Sequence, residues 1–342
     1  MCTNEPDFQD FSAVFSIVGN LLVLVMAVKR SSRMKPPELL SVNLAVTDLG
    51  AAISMYPLAV ASAWKHRWLG GDATCVYYAV AGFFFGIASI MNLTGLAIVR
   101  FIVSLNLQSP SEFRLLTPGL TKVKLLCLWT WLYALVWAVF PFVGWGRYGP
   151  EPYGLSCSLA WGHMKHEGFS FVVSLFCLNL ILPCVIIVFC YFGIAVKLYF
   201  TYRTSKSHSN RIPNIVKLHR RLLGIAVLMS LGFVVCWSPY AIVSMWSILH
   251  DSGSIPPEVS LLPCLFAKSS TVYNPLIYYV FSQSFRKEVK QLWLYFGSAL
   301  CHVSNGDNAT NNDANDDTSV YMVNAHAKTN VQVMSTLEEI PE

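Results

Sequence analysis

Lys268 is the residue of this chain whose type and position point most directly to chemistry. It is the only charge in the apolar run from Val259 to Phe281. A charged side chain near a bilayer centre costs about 2.5–3.5 kcal/mol and is a functional site by default. A lysine near a helix end could instead snorkel its ammonium to the headgroups, but Lys268 lies well inside its run, and neither end is within easy reach. A low dielectric disfavours the ammonium form, and the free amine is the nucleophile that condenses with an aldehyde to a Schiff base. Other reactive groups are sparse. Asp48 is the only acid inside an apolar stretch, and the ten cysteines form neither a CxxC pair nor a His/Cys cluster of metal-site spacing, so most read as packing residues.

The elements that would hold this lysine follow from composition. Of 342 residues, 54% are hydrophobic and 13% charged, and the mean hydropathy is +0.50. Such a chain is a polytopic membrane protein rather than a soluble domain. Stretches long enough to cross about 30 Å of hydrocarbon run from Phe11 to Val28, Leu39 to Trp64, Cys75 to Leu105, Val123 to Trp145, Phe169 to Phe200, Leu222 to Leu249 and Val259 to Phe281. The expected fold class is therefore an all-α membrane protein, a seven-transmembrane helix bundle. Pro57, Pro141, Pro183, Pro239 and Pro275 are expected to kink it.

Loop charges orient the bundle. Lys29, Arg30, Arg33 and Lys35 lie in the first connection, Arg100, Arg114, Lys122 and Lys124 in or beside the third, a basic cluster from Lys197 to Arg221 in the fifth, and Arg286, Lys287, Lys290 and Lys328 after the last span. The opposite side carries only Lys65, Arg67, Arg147 and Lys165. The positive-inside rule places the N-terminus outside and the C-terminus in the cytosol. The net charge of +5 is thus a topology signal, and no nucleic-acid partner is expected. Residues 1–10 read as an extracellular N-terminus without a cleaved signal peptide, and residues 11–281 as the transmembrane domain. Residues 282–298 alternate basic residues with Phe285, Val289, Leu292, Trp293 and Phe296, as an amphipathic helix 8 on the inner membrane surface would. Residues 299–342 read as a disordered cytoplasmic tail, with Cys301 a candidate for palmitoylation.

Fixed polar residues make this pattern specific. Gly19, Asn20, Leu44, Ala45, Asp48, Arg100, Trp131, Pro183, Tyr191, Cys236, Trp237, Pro239, Asn274, Pro275 and Tyr278 stand where the rhodopsin-like class of G protein-coupled receptors places them, so the chain resembles that class. Phe266, Ala267, Lys268, Ser269 and Ser270, followed by Tyr273, Asn274 and Pro275, resemble the retinal-attachment stretch of the opsins. The segment from Gly144 to Cys157 resembles the opsin second outer loop, with wording most similar to the neuropsin (opsin 5) group.

The resemblance implies a light-activated receptor of the plasma membrane. Lys268 would bind retinal, 11-cis or all-trans, as a Schiff base. Many visual opsins carry a Glu in helix 3 as its counterion; that position is Tyr78 here, which leaves Glu151 in the second outer loop as candidate counterion. Cys75 and Cys157 would form the family disulfide. Matched positions propose Tyr78, Gly82, Phe83, Gly86, Ile87, Phe176, Asn179, Trp237 and Tyr240 as pocket wall. Asp48 is expected in a polar cluster with Asn20 and Asn274. Arg100, Tyr191, Asn274, Pro275 and Tyr278 would form the activation face for a heterotrimeric G protein, of the Gi class by resemblance, with arrestin and a receptor kinase as further partners. Two departures stand out: Val99 replaces the acid that usually precedes Arg100, and His219 stands where many opsins have a Glu. The resting state should then be less firmly locked. The competing functions are a retinal photoisomerase with little signalling and a receptor for a diffusible amine. The second is disfavoured by Gly82 where amine receptors carry Asp.

Overall fold

The computed structural model describes residues 5–31, 34–65, 67–105, 118–151, 156–164, 168–205, 212–249, 257–282 and 285–294. Its helices are α1 (Glu5–Lys29), α2 (Pro36–Trp64), α3 (Asp72–Leu105), α4 (Leu120–Val139), α5 in three consecutive pieces (Phe169–Phe176, Cys177–Ile181, Leu182–Ser205), α6 (Ile212–Leu249) and α7 (Pro257–Phe281). A short α8 covers 285–294. Residues Met1–Glu288 form one compact unit; beyond them only the remainder of α8, to residue 294, is described. The expectations for Cys301 and the tail lie outside the described residues.

Local sequence explains the helix boundaries. α2 starts at Pro36, where a missing N–H costs nothing, and the Glu38 carboxylate accepts from the Lys35 N–H at 2.9 Å. α1 begins at Glu5, so it reaches into the segment that hydropathy assigns to the exterior. The fourth apolar stretch was expected to continue to Trp145, but α4 stops at Val139 and tightens into a 3₁₀ turn over Phe140–Val143. Pro141 favours a helix start over a helix interior, and Gly144 ends the turn at φ +91°, a left-handed conformation that glycine adopts without penalty. In α5, Pro183 has no N–H to offer the Asn179 carbonyl four residues back. The segment Cys177–Ile181 widens accordingly into a π-turn, with the Leu182 N–H donating to the Cys177 carbonyl.

α3 is the hub, in contact with α2, α4, α5, α6 and the outer loop. In its apolar window 67% of residues are buried, against 22% for α4, so α3 is sheathed by protein while α4 turns most of its surface outward. Exposed Val185, Val188, Phe189 and Phe192 on α5 form the kind of apolar surface that lipid covers. Among the described residues α1 to α6 are long and apolar enough to cross a membrane. α7 has the length, but Lys268, Ser269, Ser270, Thr271 and Asn274 dilute its apolarity. Those polar groups are tolerable because α7 is packed between α1, α2 and α6.

Prolines set the polar network that ties α7 in. Pro275 cannot bond the Thr271 carbonyl, and Asn20 from α1 takes it up: its Nδ2 donates to Thr271 O at 3.0 Å and to Ser16 O at 2.9 Å. Asn20 thus spends its amide on the freed carbonyl, and it and Asp48 are both tied to α7. Asp48 is bonded instead by Asn274 Nδ2 at 2.7 Å and by Ser89 Oγ at 3.4 Å. Gly19 permits this approach of α1 to α7, since a Cβ there would lie 2.8 Å from Pro275.

Candidate functional site

Lys268 lines a cavity walled by α2, α3, α6, α7 and the second outer loop, with about 110 Å³ open to the centres of water-sized molecules. A second chamber of about 110 Å³ lies between α3, α5 and α6. The two share Phe83, Gly86, Leu159, Phe233, Trp237 and Tyr240, so they lie next to each other with these side chains between them. Tyr78, Gly82, Glu151 and Lys268 border the first chamber, while Ile87, Phe176 and Asn179 border the second. The structure thus brings every proposed pocket residue to these two chambers.

The lid is a hairpin. β1 (Tyr148–Pro150) pairs antiparallel with β2 (Cys157–Leu159), with Pro150 opposite Cys157. The Glu151 N–H donates to Ser156 O at 2.8 Å, and the Ala160 N–H to Arg147 O at 2.8 Å. A disulfide joins Cys75 at the outer end of α3 to Cys157, so the lid cannot lift far from α3. The Tyr148 hydroxyl donates to Ala138 O at 3.0 Å, anchoring the lid to α4. Burial pushes that hydroxyl above the ordinary phenol range.

The Lys268 ammonium donates to Ser156 Oγ at 3.3 Å and lies 5.4 Å from the centroid of the Tyr78 ring. Glu151 sits in the same chamber and interacts with the ammonium electrostatically, without a direct ion pair. Its two oxygens are fixed by α6 and α7: Tyr240 OH donates to Oε1 at 3.2 Å and Cys264 Sγ to Oε2 at 3.1 Å. Trp161 Nε1 donates in turn to Tyr240 OH at 3.2 Å. Tyr78 is only 1% exposed, and its hydroxyl interacts with the Lys268 ammonium. Trp237 stacks on Phe233 and donates from Nε1 to Ser270 Oγ at 3.2 Å.

Sequence reasoning missed Ser156, Cys264, Ser270, Met55 and Phe233 as wall residues. Cys264 had a usable signal, since it precedes Lys268 by one helical turn and so shares its face. Ser156 adjoins Cys157, yet nothing local indicates that its hydroxyl meets the lysine.

Residues 19–278 match the family described as 7 transmembrane receptor (rhodopsin family). Opsin-5 of Mus musculus is 36% identical over 275 residues, which span 80% of this chain and 71% of that protein. The visual pigment-like receptor peropsin of Homo sapiens is 34% identical, over 81% of this chain and 80% of that protein. The crystal structure of squid rhodopsin superimposes with a TM-score of 0.77 at 25% identity, covering 92% of each chain. This chain is an opsin of the rhodopsin family. It is accordingly a multi-pass membrane receptor, not an enzyme.

The inner end of this opsin departs from a carboxylate-locked arrangement. Val99 is buried at the position before Arg100, and Arg100 Nε has no hydrogen-bond partner among the described residues. His219 lies within electrostatic reach of Arg100 but cannot neutralise it. Tyr191 OH is engaged by α6, through Ala226 O at 3.2 Å and Ser230 Oγ at 3.1 Å, whereas Tyr278 OH lies beside Ser41 and within electrostatic reach of Arg100. Asn274 and Pro275 belong to the Asp48 and Gly19 contacts above. A different tie joins α6 to α7: Arg221 Nε and Nη2 both donate to Phe281 O, at 2.8 and 2.6 Å. A guanidinium on the last carbonyls of a helix is favoured by the helix dipole. Arg30, just after α1, pairs with Glu288 of α8.

Proposed function

We propose that this opsin is a light-activated receptor that carries retinal covalently on Lys268 Nζ and activates a heterotrimeric G protein, of the Gi class, at the plasma membrane. The observation that carries this reading is a lysine amine opening into a largely apolar cavity under a disulfide-tied lid. The wall also fits such a ligand in shape. A Cβ on Gly86 would stand 2.8 Å from Trp237, and one on Gly82 would stand 2.9 Å from Met55, so these glycines let Trp237 and Met55 pack against the α3 backbone, and a side chain at either position would displace a wall residue.

Retinal supplies a rigid polyene that changes shape when it absorbs light. The chain supplies the rest. Lys268 provides the amine, and Ser156 accepts a hydrogen bond from its nitrogen. Glu151 is the counterion: a buried cation without compensating charge would lose its proton, and Tyr240 and Cys264 hold the carboxylate in place. The lid excludes water from the nitrogen. Trp237 stands two residues before Pro239 inside α6, so pressure on its indole favours a second position of that helix, giving the ligand different interaction energies with two receptor states. On the inner side, the Arg221 clamp opposes that movement, and the basic residues from Lys197 to Arg221 meet the G protein. The amphipathic helix α8 rests on the inner leaflet.

Reconstitution with 11-cis and with all-trans retinal, followed by spectra in the dark and after illumination and by nucleotide exchange on added G protein, tests the proposal. A light-sensitive band that is absent from Lys268→Ala, together with light-dependent exchange, is expected. A pigment that forms equally well without the lysine removes the reading. Bulk release of isomerised retinal without exchange would favour a photoisomerase.

A further inference from the structure

We propose that Asn179 recognises a hydroxyl group at the end of the ligand remote from Lys268, so that this opsin prefers a retinal hydroxylated on its ring to plain retinal. The inference rests on the retinal reading above and specifies which retinal. Asn179 is carried by the π-turn of α5 and is only 7% exposed. Neither its Nδ2 nor its Oδ1 has a hydrogen-bond partner among the described residues. A buried primary amide with both ends unsatisfied is costly, and such groups are normally paired.

The surroundings offer it nothing. Asn179 borders the second chamber, where Ile87, Ile90, Leu175, Phe176 and Ala241 are apolar. The polar atoms of the three other side chains that carry any there are already engaged elsewhere. Trp161 Nε1 donates to Tyr240 OH, Tyr240 OH donates to Glu151, and Trp237 Nε1 donates to Ser270. The amide is thus the one unsatisfied polar side chain among the described residues of an otherwise dry wall.

Lys268 borders only the first chamber and Asn179 only the second, with shared residues between them. A ligand joined to the lysine through its aldehyde therefore sends its ring toward Asn179. The aldehyde is the only polar group of plain retinal, and Lys268 consumes it. What reaches Asn179 is then hydrocarbon, which leaves both amide atoms unsatisfied. A ring hydroxyl donates to Oδ1 and accepts from Nδ2, and so satisfies both with one group. Sites built around such a hydrogen bond discriminate against the analogue that lacks it.

The test is competition. Full-length opsin is reconstituted with an equimolar mixture of plain retinal and 3-hydroxyretinal, and the bound chromophores are released and quantified. Wild type is expected to be enriched about tenfold in the hydroxylated form, the ratio that about 1.4 kcal/mol gives. Asn179→Leu, which keeps the branched arrangement of heavy atoms but has no polar end, is expected to lose that enrichment. Uptake in proportion to supply by wild type would mean that water satisfies the amide, and it overturns the inference whether or not the variant folds. An enrichment retained in Asn179→Leu overturns it as well. If wild type forms no pigment with either aldehyde, the retinal reading itself fails and takes this inference with it, an outcome distinct from equal uptake of both.

Discussion

Alanine at Gly86 is expected to displace a wall residue shared by the two chambers. The added Cβ would lie 2.8 Å from Trp237 Cη2 and 3.1 Å from Cζ2. Carbon atoms rest at about 3.5–4.0 Å, so the indole must retreat by about 1 Å. Its freedom to do so is small, because Nε1 is bonded to Ser270 Oγ at 3.2 Å, one face stacks on Phe233 at 5.5 Å, and its edge meets Tyr240 at 6.1 Å. Overpacking of this kind costs about 1–3 kcal/mol, and a hydrogen bond stretched by about 1 Å is lost, adding about 1 kcal/mol. Gly86→Ala should therefore lower the thermal unfolding midpoint of the ligand-free protein and slow pigment formation by more than about tenfold. Trp237→Phe removes the part of the ring that the new methyl strikes, so the double variant should be more stable than the sum of the single effects allows. A Gly86→Ala protein that melts and takes up retinal like wild type, or strict additivity in the cycle, would refute the close approach of α3 to α6 on which the argument depends.

Two further predictions concern charge. Glu151→Gln keeps an oxygen for the Tyr240 hydrogen bond but removes the negative charge, and the dark pigment is expected to absorb at shorter wavelength around neutral pH. A dark spectrum and pH titration identical to wild type would remove Glu151 as counterion. Arg221→Gln breaks the clamp on the Phe281 carbonyl. With Val99 and His219 leaving Arg100 without a carboxylate from either usual position, that clamp is a principal restraint on α6, and dark nucleotide exchange should rise roughly fivefold, the factor that about 1 kcal/mol supplies. Exchange at the wild-type dark rate, with the light response intact, would show that the resting state is held elsewhere.

Much of the site is legible from residue types alone. A lysine in an apolar run, a cysteine at the start of an apolar stretch, glycines within that stretch and a tryptophan that precedes a proline are all patterns that the chain displays without its fold. Asn20 was harder to read. Its type predicted a polar cluster, but its partner followed from a carbonyl released by Pro275 on another helix, and that depends on how α1 is rotated against α7. The end of α4 was likewise missed, because hydropathy continues smoothly through Phe140 and Val143 while Pro141 and Gly144 change the backbone.

By itself the sequence determined that the chain is a helical membrane bundle, since this follows from hydrophobic length, and loop charge and side-chain chemistry supply the proposed orientation and the proposed reactive amine. Only the tertiary structure decided what that amine meets. Ser156 is 112 residues from Lys268, and Glu151 is 113 from Cys264. The pairing is set by a disulfide-tied hairpin folded over the helices, and the unpaired amide of Asn179 is set by a proline-induced π-turn. Contacts between parts of the chain so far apart depend on the rotation and depth of each packed element, which no local pattern specifies.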